Sequence, residues 1–139
     1  MTVFQPGPEE RRSRSASGAS GREWIIDAYG CDPAALRDRA RLAILFDRLT
    51  ADLHLTAVTD PVWHTFPPPG GITGFVVLAE SHLACHTFPE FGSICVNVFS
   101  CRPRDEINAA NVLRELLGAT HTVVRTVERT YAPASTVQA

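Results

Sequence analysis

The sequence contains no lysine; all thirteen of its basic residues are arginine. That absence excludes catalysis through a lysine Schiff base and phosphate binding through a P-loop lysine. Any imine chemistry must draw on another carbonyl or amine. Long hydrophobic runs are missing too. The longest, Ile72 to Ala79, is interrupted by Thr73 and Gly74 and falls far short of the ~20 residues a membrane span needs. No apolar signal-peptide core stands near the N-terminus. The four cysteines (Cys31, Cys85, Cys95, Cys101) form no C-x-x-C pair, which removes the zinc-ribbon and thioredoxin readings. They are expected to be reduced thiols in a cytoplasmic protein. A net charge of −2 supplies no basic field for nucleic acid.

What is present is ordinary for a globular chain: 139 residues, 45% hydrophobic and 20% charged. This length suits one domain with a core that needs no staples. Residues 1–21 are rich in Pro, Ser, Gly and charge and are expected to form a disordered leader. Residues 22–131 form the single expected domain, and 132–139 a frayed tail.

Within the domain the periodicity changes several times. Trp24 to Tyr29 reads as a strand. Asp32-Pro33 offers an N-cap with proline in the first turn. Leu42, Leu45, Phe46, Leu49 and Leu53 then predict an amphipathic helix over about 33–52. Short strands are expected at Thr56 to Val58 and before the Pro67-Pro68-Pro69-Gly70-Gly71 turn. Ile72 to Glu80 reads as a strand buried on both faces, and Ser93 to Ser100 alternates as a strand should. Asp105 is a candidate cap for a second helix, which Ala109, Val112, Leu113, Leu116 and Leu117 line and Gly118 ends. Thr122 to Thr130 is a last strand. The order predicts an α+β fold, a two-layer sandwich with a mainly antiparallel sheet and two helices packed on one face.

Chemistry concentrates in Glu80-Ser81-His82-Leu83-Ala84-Cys85-His86-Thr87-Phe88-Pro89-Glu90, where seven of eleven side chains are hydroxyl, thiol, imidazole or carboxylate. Buried polar groups each need a partner, so such crowding after a core strand points to function. A metal site would use His82, His86 and Cys85, but on an extended segment the two imidazoles stand too far apart for one ion unless the chain bends. A Ser/His or Cys/His hydrolase has its residue types here, without the G-x-S-x-G nucleophile elbow. His82 also reads as a satisfied structural histidine, and Cys31, Cys85 and Cys95 as small core residues.

The run E-S-H-x-x-x-H-T-F-P-E resembles the self-processing site of bacterial S-adenosylmethionine decarboxylase proenzymes. The likeness continues at Ser100-Cys101, at Gly71-Ile72-Thr73-Gly74, and at Gly21-Arg22, Asp27 and Cys31-Asp32. It spans about 21–131, and the chain length is similar to the short bacterial form. The resemblance implies self-cleavage between Glu80 and Ser81 into a β chain, 1–80, and an α chain, 81–139. Ser81 would attack the preceding carbonyl to give an ester. Elimination and hydrolysis would then leave a covalent pyruvoyl group, derived from Ser81, as the cofactor. That ketone takes the substrate's amine and serves as the electron sink for loss of CO₂, and no metal is implied.

By the same resemblance His86 carries the proton transfers of processing, work suited to an imidazole. Thr73 stands where the family has an assisting serine. Cys101 is the acid that reprotonates the substrate carbon, Phe66 and Phe88 sandwich adenine, and Glu90 accepts from the ribose hydroxyls. The implied substrate is S-adenosylmethionine, decarboxylated for spermidine biosynthesis, and the implied assembly is a homodimer of αβ protomers. No membrane or nucleic-acid partner is expected. This chain departs from the family at Glu23, where histidine is usual, at Arg102-Pro103 after the cysteine, where glycine is usual, and at Asp27, often glutamate. These departures leave open a basic amino acid substrate, ornithine or arginine, or a non-catalytic regulatory paralogue.

Overall fold

The computed structural model of the protein describes residues 19–102 and 106–132. Six strands form one antiparallel sheet: β1 (Ala19–Tyr29), β2 (Val62–Thr65), β3 (Ile72–Val77), β4 (Ser81–Phe88), β5 (Ser93–Ser100) and β6 (His121–Ala132). Their order across the sheet is β2-β3-β4-β5-β1-β6. Three helices, α1 (Pro33–Leu36), α2 (Arg39–Asp52) and α3 (Ala109–Leu117), complete the fold.

Period-two alternation decides which face is buried. Trp24, Ile26 and Ala28 of β1, Leu83 and Cys85 of β4, and Ile94, Val96 and Val98 of β5 point one way into the core. Leu36, Leu42, Leu45, Phe46 and Leu49 of α1 and α2, with Val112, Leu113 and Leu117 of α3, close over them. Register places Glu23, Phe99, His82 and Val77 in one row across the other face, and Asp27, Cys95, His86 and Thr73 in another. Among the described residues, no helix covers this second face.

Several expectations change. Ala19, Ser20 and Gly21, placed in the leader by composition, pair with β6 and begin β1. Backbone hydrogen bonds to a strand do not depend on side-chain polarity, so a polar, Gly- and Ser-rich stretch can still join a sheet. The expected single helix over 33–52 is two helices. Asp32 caps α1 by accepting from Ala34 N–H at 3.0 Å, and Asp38 begins α2 by accepting from Ala40 and Arg41 N–H. Helices on the covered face therefore number three rather than two. Asn108 caps α3, accepting from Asn111 N–H at 3.3 Å. The expected cap Asp105, like the leader residues 1–18 and the tail residues 133–139, lies outside the described residues.

The strand read as buried on both faces is buried on one. Phe75 and Val77 of β3 are each 41% exposed on the helix-free side. Thr56 to Val58 makes only an isolated bridge, Ala57 to Leu78. The chemically crowded segment is itself a strand, β4, paired along its length with β5.

Candidate active site

β3 and β4 meet in a tight turn with Ala79 and Glu80 at its tip, closed by Leu78 N–H donating to Ser81 O at 2.9 Å. Neighbours clamp the turn on both sides. Ala79 N–H donates to Thr56 O at 2.8 Å, and Thr56 N–H donates to Glu80 Oε2 at 3.4 Å. From the end of β5, Cys101 N–H donates to the Glu80 carbonyl oxygen at 3.2 Å. The Glu80–Ser81 peptide is thus held with its carbonyl polarised by a backbone donor, as an oxyanion-stabilising contact requires.

Ser81 opens β4 with its hydroxyl oxygen 3.0 Å from His82 Nδ1. The His82 ring stacks on Phe75, with centroids 5.8 Å apart, and leans against Phe99 at 6.3 Å. Beside this cluster a cavity of about 390 Å³ is lined by Phe99, Cys101, Arg129, Thr130 and Tyr131. Tyr131 donates its hydroxyl to Cys101 O at 2.8 Å, fixing the backbone that carries the thiol. Arg129 lies over the Phe99 ring at 5.2 Å and pairs with Glu23 at 3.5 Å.

The second cluster occupies the other end of the same face. Thr73 Oγ1 sits 3.1 Å from His86 Nδ1, cross-strand partners on β3 and β4. Both line a cavity of about 670 Å³ together with Phe66, Phe88, Glu90 and Phe91. That volume is in the range of small-ligand sites. Phe66 is held by an edge contact with His64, 4.6 Å between centroids. Gly71 forms part of the wall because a Cβ there would lie 2.1 Å from Thr87 O. Thr87, buried beneath, accepts from Ile72 N–H and donates to Leu36 O, each at 2.8 Å.

The site residues expected from the sequence therefore fall into two groups. Thr73, His86, Phe66, Phe88 and Glu90 come together around one cavity. Glu80, Ser81 and Cys101 come together at the β3–β4 turn, joined by Cys101 N–H to Glu80 O, and of these Cys101 lines the other cavity. His86 stands five residues along β4 from Ser81, about 16 Å at strand rise, so one chain does not bring this imidazole to that hydroxyl. The imidazole beside Ser81 is His82, which the sequence left open between a structural and a functional role and which was not among the expected site residues; the signal was its adjacency to the serine. Tyr131 and Thr56 went unnoticed because only the fold brings them to the turn.

His82 and His86 share a face about 13 Å apart along the strand, and Cys85 points into the core. Among the described residues, no group of three His, Cys, Asp or Glu side chains gathers to hold a metal. The thiols divide by burial. Desolvation pushes Cys85 up to about 12, against a smaller opposing hydrogen bond from the Gly74 backbone. Burial also raises Cys31, and raises Cys95 with help from the neighbouring Asp27 carboxylate. Such thiols are poor nucleophiles and poor acids. Cys101 lines the cavity of about 390 Å³.

Fold and clusters together define a small α+β enzyme that presents its chemistry on the uncovered face of an antiparallel sheet. The family model described as S-adenosylmethionine decarboxylase matches residues 22–130. The proenzyme of that name from Caldicellulosiruptor saccharolyticus is 38% identical over 115 residues, covering 80% of this chain and 89% of the relative. The one from Pelotomaculum thermopropionicum is 38% identical over 117 residues, 81% of this chain and 89% of its own. The crystal structure of adenosylmethionine decarboxylase from Aquifex aeolicus superposes with a TM-score of 0.67 at 25% identity, over 86% of this chain and 98% of that one. The chain belongs to the S-adenosylmethionine decarboxylase family.

Proposed function

We propose that the protein is a proenzyme that cuts itself between Glu80 and Ser81 and then decarboxylates S-adenosylmethionine. The observation that carries this reading is the β3–β4 turn, where the Glu80 carbonyl accepts from Cys101 N–H at 3.2 Å beside the Ser81 hydroxyl. In a chain without lysine, a carbonyl made from Ser81 fits the demand for an electrophile. The pyruvoyl group supplies a ketone for the substrate's amine and an electron sink for decarboxylation. Cys101, just past the end of β5, holds the proton for the product carbon. Phe66 and Phe88 supply flat apolar walls for adenine, and their π-faces also attract a sulfonium. Glu90 accepts from the ribose hydroxyls. Four free thiols suit the reducing cytoplasm as its place of work.

The active unit is a homodimer of αβ protomers. Phe75, Val77 and Phe88 stand partly exposed on a sheet face that needs a cover. Two-fold pairing of that face with itself sets the His86 end of one protomer over the Ser81 end of the other. The separation of about 16 Å within one chain is then bridged between chains.

Intact mass under denaturing conditions tests the cleavage. Two polypeptides parting at Glu80–Ser81, the second with a carbonyl-blocked N-terminus, are expected from the wild type, and one uncut chain from Ser81→Ala. Cleavage of Ser81→Ala at the same bond removes the mechanism. A wild type that stays at 15.2 kDa on prolonged incubation removes the proenzyme reading altogether.

A further inference from the structure

We infer that His82 is the base of the first processing step, taking the proton from the Ser81 hydroxyl and returning it to the departing amide nitrogen. The inference rests on the self-cleavage reading above. Three features of the structure support it. Ser81 Oγ and His82 Nδ1 are 3.0 Å apart, within proton-transfer reach. The ring is held between Phe75 and Phe99, so its nitrogen keeps a fixed bearing on the hydroxyl. The imidazole of His86 is engaged with Thr73 at the far end of the strand.

Across Phe99 stand Glu23 and Arg129, paired with each other at 3.5 Å, and the turn carries Glu80, whose Oε2 accepts from Thr56 N–H.

The step balances without a co-reactant. With the ring proton on Nε2, Nδ1 accepts the hydroxyl proton as Ser81 Oγ bonds to the Glu80 carbonyl carbon. Cys101 N–H steadies the oxygen that takes up the charge. The Glu80–Ser81 C–N bond then breaks, and the proton on Nδ1 passes to the Ser81 nitrogen. The product is an ester between Glu80 and the Ser81 side chain, with a free amine on Ser81. His86 is left for the later elimination, reached from across the dimer.

The test follows self-cleavage of freshly purified chains over time, with and without hydroxylamine, which cuts the ester but not the amide. His82→Phe retains the aromatic stack, His82→Gln retains a polar side chain that cannot take the proton, and His82→Ala leaves room for added imidazole. Each is expected to form ester about 100-fold more slowly than wild type, the size of a general-base contribution. Hydroxylamine should release little extra fragment from them, whereas His86→Ala should accumulate ester that hydroxylamine cuts. Imidazole should restore His82→Ala by about tenfold or more, and His82→Gln should lose one protonation step from its pH profile. Ester formation within a few-fold of wild type in His82→Gln, with an unchanged pH profile, overturns the inference. So does slow cleavage of His82→Ala that imidazole does not rescue and that tracks the fraction of unfolded protein. A wild type that never cleaves points instead to failure of the self-cleavage reading.

Discussion

Cys85 is fully buried on the core side of β4, and desolvation pushes its thiol from 9.0 up to about 12. The folded state holds this proton more tightly than the unfolded chain does. Its contribution to stability is therefore complete below pH 9 and is lost as pH climbs from 9 toward 12. One such group costs up to about 1.4 kcal/mol per pH unit in that window. Cys31 and Cys95, also raised by burial, act in the same direction. Urea midpoints under reducing conditions should fall steeply above pH 9 in the wild type and less steeply in Cys85→Ala. Parallel slopes would mean that Cys85 does not titrate on unfolding. Cys101 offers a contrast, because the proposed function gives its backbone and its thiol separate tasks. Cys101→Ala keeps the N–H that holds the Glu80 carbonyl, so cleavage should proceed near the wild-type rate. Turnover of S-adenosylmethionine should drop by about 100-fold with the proton donor gone. Undiminished turnover would place the acid elsewhere.

Elements show how far the sequence could be read. β5 was legible to the residue because the β-branched Ile94, Val96 and Val98 recur at every second position, alternating with Cys95, Asn97 and Phe99. β4 carries the same alternation in Leu83, Cys85 and Thr87, but its outward histidines and flanking carboxylates drew attention to chemistry instead of to period. Phe75 and Val77 suggested a doubly buried strand because they face an open side that is itself apolar. The break between α1 and α2 was marked by Asp38, the second of two aspartate caps six residues apart. It was hidden by the apolar spacing that runs on through α2. The Thr73–His86 and Ser81–Cys101 groupings both depend on register, which spacing alone does not fix. Thr87 ties three elements through one hydroxyl, joining β3 to β4 and β4 to α1. Thr87→Val fills the same volume and strands two buried polar groups, at about 1–3 kcal/mol each. Its denaturation midpoint should fall by that order while cleavage at Glu80–Ser81 continues, since the side chain faces the core. A wild-type midpoint would show that water replaces the hydroxyl.

At the scale of the whole molecule the sheet has one finished face and one unfinished one. Helices seal the first; the second carries both cavities, two ion pairs (Asp27–Arg125 and Glu23–Arg129) and the partly exposed aromatics. Ion pairs on an exposed sheet contribute little by themselves. If the proposed dimer completes each site from two chains, two lesions on different chains should complement. His86→Ala spoils the contribution that a chain lends to its partner, and Cys101→Ala spoils the one it keeps beside its own Ser81. Neither variant alone forms an intact site. Co-expressed, half of randomly paired dimers are mixed, and each mixed dimer holds one intact site of two. The mixture should therefore reach about a quarter of wild-type activity. Sites complete within single chains predict no recovery, because every chain then carries a lesion in its own site. Activity near that of the parents, in a mixture shown by mass to contain hybrid dimers, would return His86 to the chain it is encoded in and require β4 to bend.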